Sequence, residues 1–326
     1  MNIVFMGTPE FAVSSLEGLI NSKHKILAVV TQPDKPRGRG KKIQFPPVKQ
    51  MAIQNNIEVY QPKRIKDPEF IQTIKDLNPD VIIVIAYGKI LPKEILSIPK
   101  KGCINVHASL LPAYRGAAPI NWAIIKGEKK TGITTMYMDE GLDTGDIILQ
   151  REIEISDSMT AGELHDQLSE LGREVLLDTL SLIENNQAPR ISQEDCQYSY
   201  APMIDKRLGK IDWNRSAKDI VNLIRGVNPW PGAYTFFEGR KIKIWEAKIY
   251  KEEEKIQCKP GTVLKYIPKI GLIVKSGKGL LAIQQIQVPN YKKMDIDSYM
   301  NGHNIPVGTI LESNGSESIE SKNRRE

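Results

Sequence analysis

Cysteine is scarce in this chain. Its 326 residues hold three, Cys103, Cys196 and Cys258, odd in number and far apart. No disulfide framework and no zinc-binding pair can be built on that spacing. A reducing cytoplasm is the setting it fits. No apolar run approaches the ~20 residues of a membrane span. The opening run MNIVFMGTPEF has no basic segment ahead of a long apolar one, so no secretory signal is expected there. The G-x-G-x-x-G fingerprint is also missing. The first apolar run ends instead in Gly7-Thr8-Pro9, and no acidic ribose ligand follows the second run, which argues against a nicotinamide site. Histidines and cysteines at metal-binding spacing are absent, so no metal is expected. There is no internal repeat.

What is present suits an ordinary soluble protein with a real core: 40% hydrophobic and 26% charged residues. The length makes two domains the natural expectation. The net charge of +6 is unevenly placed. Residues 206–312 hold 19 Lys+Arg and 10 Asp+Glu, a net of +9, while the rest of the chain carries −3. A basic second half suggests a polyanionic partner. Lysine-rich usage with solvated charges is the other reading, and charge alone does not choose between them.

Short apolar runs at 2–6, 26–30, 81–86, 103–106 and 133–138 read as strands. The run at 81–86, VIIVIA, has the continuous hydrophobicity of a strand buried on both faces. Helical stretches at 68–77 and 118–126 lie between such runs, and 160–184 is a long amphipathic helix with Leu164, Leu168, Leu171 and Val175 on one face. This alternation predicts a Rossmann-like, doubly wound, mostly parallel α/β sheet over residues 1–185. Residues 186–205, polar and containing Pro189, read as a linker. Residues 216–226 predict one helix, with Ser216 as N-cap and Asp219 at N3. Short strands follow at 233–237, 241–250, 261–264, 271–275 and 280–288, with turns at Glu238-Gly239 and Ser276-Gly277. Residues 206–312 are therefore expected to form a small basic β-barrel domain, OB-like in architecture. Residues 313–326 are polar and Ser/Glu-rich and read as a disordered tail.

Two segments carry chemistry. In a strand Asn105 and His107 are two apart and share a face. They stand at the carboxyl end of a strand, where open α/β sheets place ligands. An amide beside an imidazole can hold a developing oxyanion and move a proton; it can equally be a hydrogen-bonded structural pair. The acidic, glycine-rich stretch 139–146 is either a functional loop or a plain turn. A third segment, 32–42, sets Lys35, Arg37, Arg39, Lys41 and Lys42 among glycines and prolines. It cannot pack a core and suits either phosphate contacts or a solvated surface loop.

Taken together these motifs resemble the folate-dependent formyltransferases over nearly the whole chain, the final tail excepted. Asn105, His107 and Asp143 match that family's catalytic triplet, Ser109, Leu110, Leu111 and Pro112 its folate-contacting segment, and Gly141-Leu142-Asp143-Thr144-Gly145-Asp146 its second motif. The start at 6–11, the basic loop, and Arg225-Gly226 through Trp230-Pro231-Gly232-Ala233-Tyr234 are similar to members that act on a charged tRNA. The resemblance implies 10-formyltetrahydrofolate as formyl donor and initiator methionyl-tRNA as acceptor. It implies Arg37, Arg39, Lys41 and Lys42 as tRNA contacts, and a monomeric cytoplasmic enzyme. The nearest rivals are other folate formyltransferases, those acting on glycinamide ribonucleotide or on sugar nucleotides and the longer formyltetrahydrofolate dehydrogenase; a non-catalytic RNA-binding protein on the same scaffold is the rival from another class, and an intact triplet argues against it.

Overall fold

In the computed structural model, residues 1–37, 42–194, 198–253 and 256–313 are described, with Arg37 and Lys42 described by their backbone alone. Of the expected tRNA contacts, Arg39 and Lys41 lie outside the described residues, as does the tail from 314. The chain divides into two compact units. The first comprises Met1–Pro119, Lys130–Glu154 and Glu163–Pro202; the second comprises Ile120–Lys129, Ile155–Gly162 and Met203–Glu326.

The first unit is built on a seven-stranded sheet. Its strands are β1 (Asn2–Gly7), β2 (Lys25–Val30), β3 (Val59–Tyr60), β4 (Val81–Ile85), β5 (Cys103–His107), β6 (Lys130–Tyr137) and β7 (Ile147–Glu154). Their spatial order is β7-β6-β5-β4-β1-β2-β3. The apolar run at 81–86 explains the centre: every residue of β4 is buried, as in a strand covered on both faces. Strands β3, β2, β1, β4 and β5 pair in parallel, and β6 and β7 add an antiparallel edge. Strand order reverses at β1 and β4, so a ligand crevice is expected outside their carboxyl ends. There Gly7 is a packing requirement, because a Cβ on it would meet the Ile85 carbonyl at 3.1 Å. Thr8 Oγ1 donates to the Tyr87 carbonyl at 3.3 Å. The first turn is thus tied to the neighbouring one.

Helices at Pro68–Leu77 and Ala161–Glu184 form where the pattern predicts them. Asp67 caps the first, accepting from the Glu69 N–H at 3.2 Å ahead of Pro68 at its first position. In the second, Leu164, Leu168 and Val175 are fully buried. Its Thr179 hydroxyl meets that of Thr135 on β6 at 2.7 Å, and Ser169 donates to the Phe11 carbonyl at 3.0 Å. The stretch 186–202 runs with this unit. Ile191 exchanges backbone bonds of 2.8 and 3.0 Å with Ile147, and Tyr200–Ala201 pairs in parallel with Arg115–Gly116.

The second unit is an antiparallel sheet of β8 (Ala233–Phe237), β9 (Arg240–Lys251), β10 (Val263–Ile267), β11 (Gly271–Lys275), β12 (Leu280–Gln287) and β13 (Met294–Asp295). Pairing runs β8-β9-β12-β11-β10, with β13 beside β12. Glu238 and Gly239 both adopt positive φ, 49° and 71°, the geometry of the tight turn expected between β8 and β9. Residues 309–312 close the ring. Phe236 and Glu312 exchange two backbone bonds of 2.9 Å, Val263 N–H donates to Thr309 at 2.8 Å, and Leu311 N–H to Gly261 at 2.9 Å. The small barrel is therefore continuous in backbone hydrogen bonds from β8 round to β10. The helix Ala217–Gly226 starts at Ser216, whose hydroxyl accepts from the Asp219 N–H at 3.1 Å, as expected. Arg225, 9% exposed, donates to the carbonyls of Ser156 and Met159 at 2.9 Å and to Asn222 Oδ1 at 2.8 Å. Those bonds recruit residues 155–162 to this unit. Among the described residues no helix is long and apolar enough to cross a membrane.

Candidate active site

At the end of β5 the strand period sets Asn105 and His107 on one face, and the loop 139–146 brings Asp143 to them. The Asn105 amide donates to Asp143 Oδ1 at 3.3 Å. His107 Nδ1 lies 3.7 Å from Asp143 Oδ2, with the two side chains 7% and 12% exposed. The same Oδ2 accepts the Gly116 N–H at 2.8 Å. His107 Nε2 meets the Tyr114 carbonyl at 3.0 Å. A carbonyl only accepts, so Nε2 carries a proton and Nδ1, facing the carboxylate, is the nitrogen left for exchange. The three side chains singled out from sequence thus form one connected group, two positions from one strand and one from a loop 38 residues on.

The loop is rigid for reasons visible in its residues. Asp139 Oδ1 accepts from the Gly141 N–H at 2.9 Å and from the Thr144 hydroxyl at 2.7 Å. Gly145 lies so close to Tyr137 that an added Cβ would overlap its carbonyl oxygen at 1.7 Å. Asp143 itself sits at φ 55°, the left-handed region, where a non-glycine residue must be held by its surroundings.

The segment Ser109, Leu110, Leu111 and Pro112 follows directly on His107 and is cross-braced. Thr134 on β6, fully buried, donates to the Ser109 carbonyl at 2.6 Å and accepts the Leu111 N–H at 3.1 Å and Gln150 Nε2 at 2.9 Å. Ser109 Oγ donates to the Ala113 carbonyl at 2.6 Å. The Leu111–Pro112 bond is cis. Thr134→Val keeps the volume and deletes this brace. Unpaired buried groups cost about 1–3 kcal/mol, so a loss of about 2 kcal/mol in urea unfolding is expected, with an unchanged stability contradicting the brace.

Three features were not reached from sequence. The turn 86–92, at the carboxyl end of β4, has Ala86 at φ 47°, and its Tyr87 carbonyl accepts from Thr8 and from Gln32 Nε2 at 3.1 Å. Tyr87 is buried, its hydroxyl has no partner among the described residues, and burial pushes that phenol up to about 12. Next, Lys49 anchors the base of the basic loop, bonding Asp34 Oδ2 and Gln61 Oε1 at 2.7 Å each. Lys35–Arg37 and Lys42–Gln44 form an antiparallel ribbon above it, placing the backbones of Arg37 and Lys42 opposite each other. The third feature is Gln193, whose side chain lies between Arg115 and the loop holding Asp143. Among the described residues no group of three or more His, Cys, Asp or Glu could hold a metal.

A Rossmann-like sheet with an amide, an imidazole and a carboxylate at its carboxyl edge, followed by a separate antiparallel barrel, defines the class. The chain belongs to the formyl transferase family: the family's formyl transferase model matches residues 1–180, and the model of its C-terminal domain matches 203–304. The chain is 56% identical over 311 residues to a methionyl-tRNA formyltransferase of Acetivibrio thermocellus, covering 95% of this chain and 99% of that one. It is 55% identical to a methionyl-tRNA formyltransferase of Clostridioides difficile, over 95% and 100% of the two. Among solved structures, an N-formyltransferase from Helicobacter canadensis, in complex with folinic acid and dTDP-3-aminofucose, shares the fold. Its TM-score is 0.64 and its identity 20%, over 86% of this chain and 98% of that one.

Proposed function

We propose that the chain transfers the formyl group of 10-formyltetrahydrofolate to the free amino group of methionine on initiator methionyl-tRNA, with Asn105, His107 and Asp143 carrying the transfer. The product, N-formylmethionyl-tRNA, serves translation initiation. The observation that carries this reading is the grouping of Asn105, His107 and Asp143 at the carboxyl edge of β5, in a chain that matches methionyl-tRNA formyltransferases at 51–56% identity.

The chemistry follows from the geometry. The amine must be neutral to add to the formyl carbon, and the addition leaves an oxyanion. Asn105 spends one amide hydrogen on Asp143 and has a second to offer that oxygen. When the folate nitrogen departs it needs a proton, and His107 Nδ1 is placed to take one from the amine and return it there. Asp143, held by Asn105 and the Gly116 N–H, faces the imidazolium so formed and stabilises it. The folate pocket is assigned to Ser109, Leu110, Leu111 and Pro112. The exposed apolar side chains of Ile90 and Leu142, on the turn 86–92 and the loop 139–146, offer further surface to its flat ring.

The acceptor is read from charge. In the second unit, strand alternation puts Tyr234, Lys241, Lys243 and Trp245 on the outer face of β8 and β9. Lys241 Nζ stands 3.4 Å over the Tyr234 ring, and Lys243 and Lys293 stand 5.1 and 5.8 Å over that of Trp245. Burial first, then the charges of Lys243 and Lys206, hold Lys241 below the ordinary lysine range. Like charges crowded among aromatics are what a nucleic-acid backbone and its bases would relieve. Arg37, Arg39, Lys41 and Lys42 are assigned to the acceptor end. Catalysis is assigned to residues 1–185, apart from 120–129 and 155–162, which belong to the second unit, and tRNA binding to 206–312, in a protein that works as a cytoplasmic monomer.

The test is transfer of labelled formyl from 10-formyltetrahydrofolate to three acceptors: initiator methionyl-tRNA, elongator methionyl-tRNA and an amino-sugar nucleotide. Label is expected on methionine of the initiator tRNA, well ahead of the other two. Preference for the sugar nucleotide would overturn the assignment of acceptor.

A further inference from the structure

We infer that Gln193 is a positioning residue for the transfer, acting through Asp143. Its amide is fully engaged. Nε2 donates to the Asp143 carbonyl at 2.9 Å and to the Gly145 carbonyl at 2.8 Å. Oε1 accepts both Nε and Nη2 of Arg115, at 3.1 and 2.9 Å. Both donors and both acceptor sites of one amide are thereby used, an arrangement that fixes which way the side chain faces.

What Gln193 joins gives it meaning. On one side is the loop that holds Asp143 in the left-handed region, where its carbonyl must be fixed for the carboxylate to point at His107. On the other is the turn 114–116. Its Tyr114 carbonyl receives His107 Nε2, its Gly116 N–H binds Asp143 Oδ2, and its Arg115 guanidinium, 7% exposed, grips Gln193. Gln193 therefore locks together the two loops that set the orientation of both titratable members of the triplet. Its own backbone is held on both sides, by Ile191 bonded to Ile147 and by the Arg115 N–H on Ser199 at 2.9 Å. Residues 191–194 and 198–201 thus form a clasp on the catalytic loops.

The inference rests on Asp143 belonging to the reaction centre, and the experiment separates the two. Turnover, both Michaelis constants and the unfolding midpoint are measured for wild type, Gln193→Ala, Gln193→Glu, Asp143→Ala and the double variant Gln193→Ala/Asp143→Ala. A misplacement of about 1 Å can cost about 10²-fold in rate, so Gln193→Ala is expected to lower kcat by roughly 10- to 100-fold with both Michaelis constants little changed. Gln193→Glu presents an oxygen to two carbonyls while keeping the Arg115 pair. It should be as impaired as Gln193→Ala, although it turns the Arg115 contact into an ion pair and so holds that side of the clasp. In the Asp143→Ala background the added cost of Gln193→Ala should fall below about 3-fold, because a residue that works through another has nothing left to position. The same fold-loss in both backgrounds overturns the inference, as does wild-type kcat in Gln193→Ala. A fall in kcat that tracks a lowered unfolding midpoint in both Gln193 variants does so too. If Asp143→Ala alone turns over near the wild-type rate, the reading of the site fails first, and with it this inference.

Discussion

His107→Ala loses turnover by about 10²–10³-fold while its fold persists. General acid–base groups contribute about 10²–10⁴ and single oxyanion donors about 10²–10³, and His107 is placed for the first role. Its ring is 6% exposed, so deletion also leaves a cavity. His107→Gln is the control for that. It fills the site and can still donate to the Tyr114 carbonyl, yet it cannot cycle a proton. Both variants should be equally slow over the pH range in which the amine is neutral. A His107→Gln protein with near-normal turnover would remove the imidazole from the chemistry and leave it a packing role. Asp143 keeps its other holds when His107 is gone, the Gly116 N–H on Oδ2 and the Asn105 amide on Oδ1.

Replacing Lys241, Lys243 and Lys293 together by alanine lowers tRNA affinity on the order of 10²-fold. The estimate takes ~1.5 kcal/mol for each charge-assisted contact and assumes that two or more are lost. It should also flatten the salt dependence: each phosphate neutralised adds about −0.9 to the slope of log affinity against log salt on duplex nucleic acid, and each lysine removed takes about 1 from it. The triple variant should show a slope shallower by two to three, and folate affinity should stay as it was. These lysines lie on the outer face of the barrel, against Tyr234 and Trp245. Their loss therefore does not open the core formed by Ile242, Ile244 and Ile286. An unchanged salt slope would mean that the basic face is solvated surface and that the tRNA is held elsewhere. This comparison is better than cutting the chain near Asp205. Residues 120–129 and 155–162 pack with the second unit through Arg225 and through the Asn121 amide on the Gly226 carbonyl at 2.8 Å. A truncated chain would strip them of their partners.

The parts of the molecule legible in the sequence are those fixed by local pattern. VIIVIA has the pattern of a buried strand, and its first five residues form one, β4, while Ala86 is exposed and begins the turn. The period-two spacing of Asn105 and His107 puts them on one face, and the Ser216 cap follows from residue type. Strand β7 was not foreseen because it is an edge strand: after Ile147 and Ile148 its residues Gln150, Arg151, Glu152 and Glu154 face solvent and dilute the apolar signal. Residues 186–202 read as a linker because they are polar. The described ones among them are held by partners far along the chain, as in the Arg115–Gln193 pair, 78 residues apart. No periodicity encodes such a contact. The same limit hid the recruitment of residues 155–162 by Arg225, 66 and 69 residues on.

The central claim is that Asn105, His107 and Asp143 act as one unit, and it is tested most directly by turnover of the triple alanine variant beside the three single variants, with labelled 10-formyltetrahydrofolate and initiator methionyl-tRNA. Members of one catalytic unit are grossly non-additive, because once one is lost the others have little left to do. The triple variant is predicted to fall within about 10-fold of His107→Ala. Losses that multiply, reaching roughly 10⁶-fold or more if each single loss is about 10²-fold, would show three independent contributions and contradict the triplet as one reaction centre.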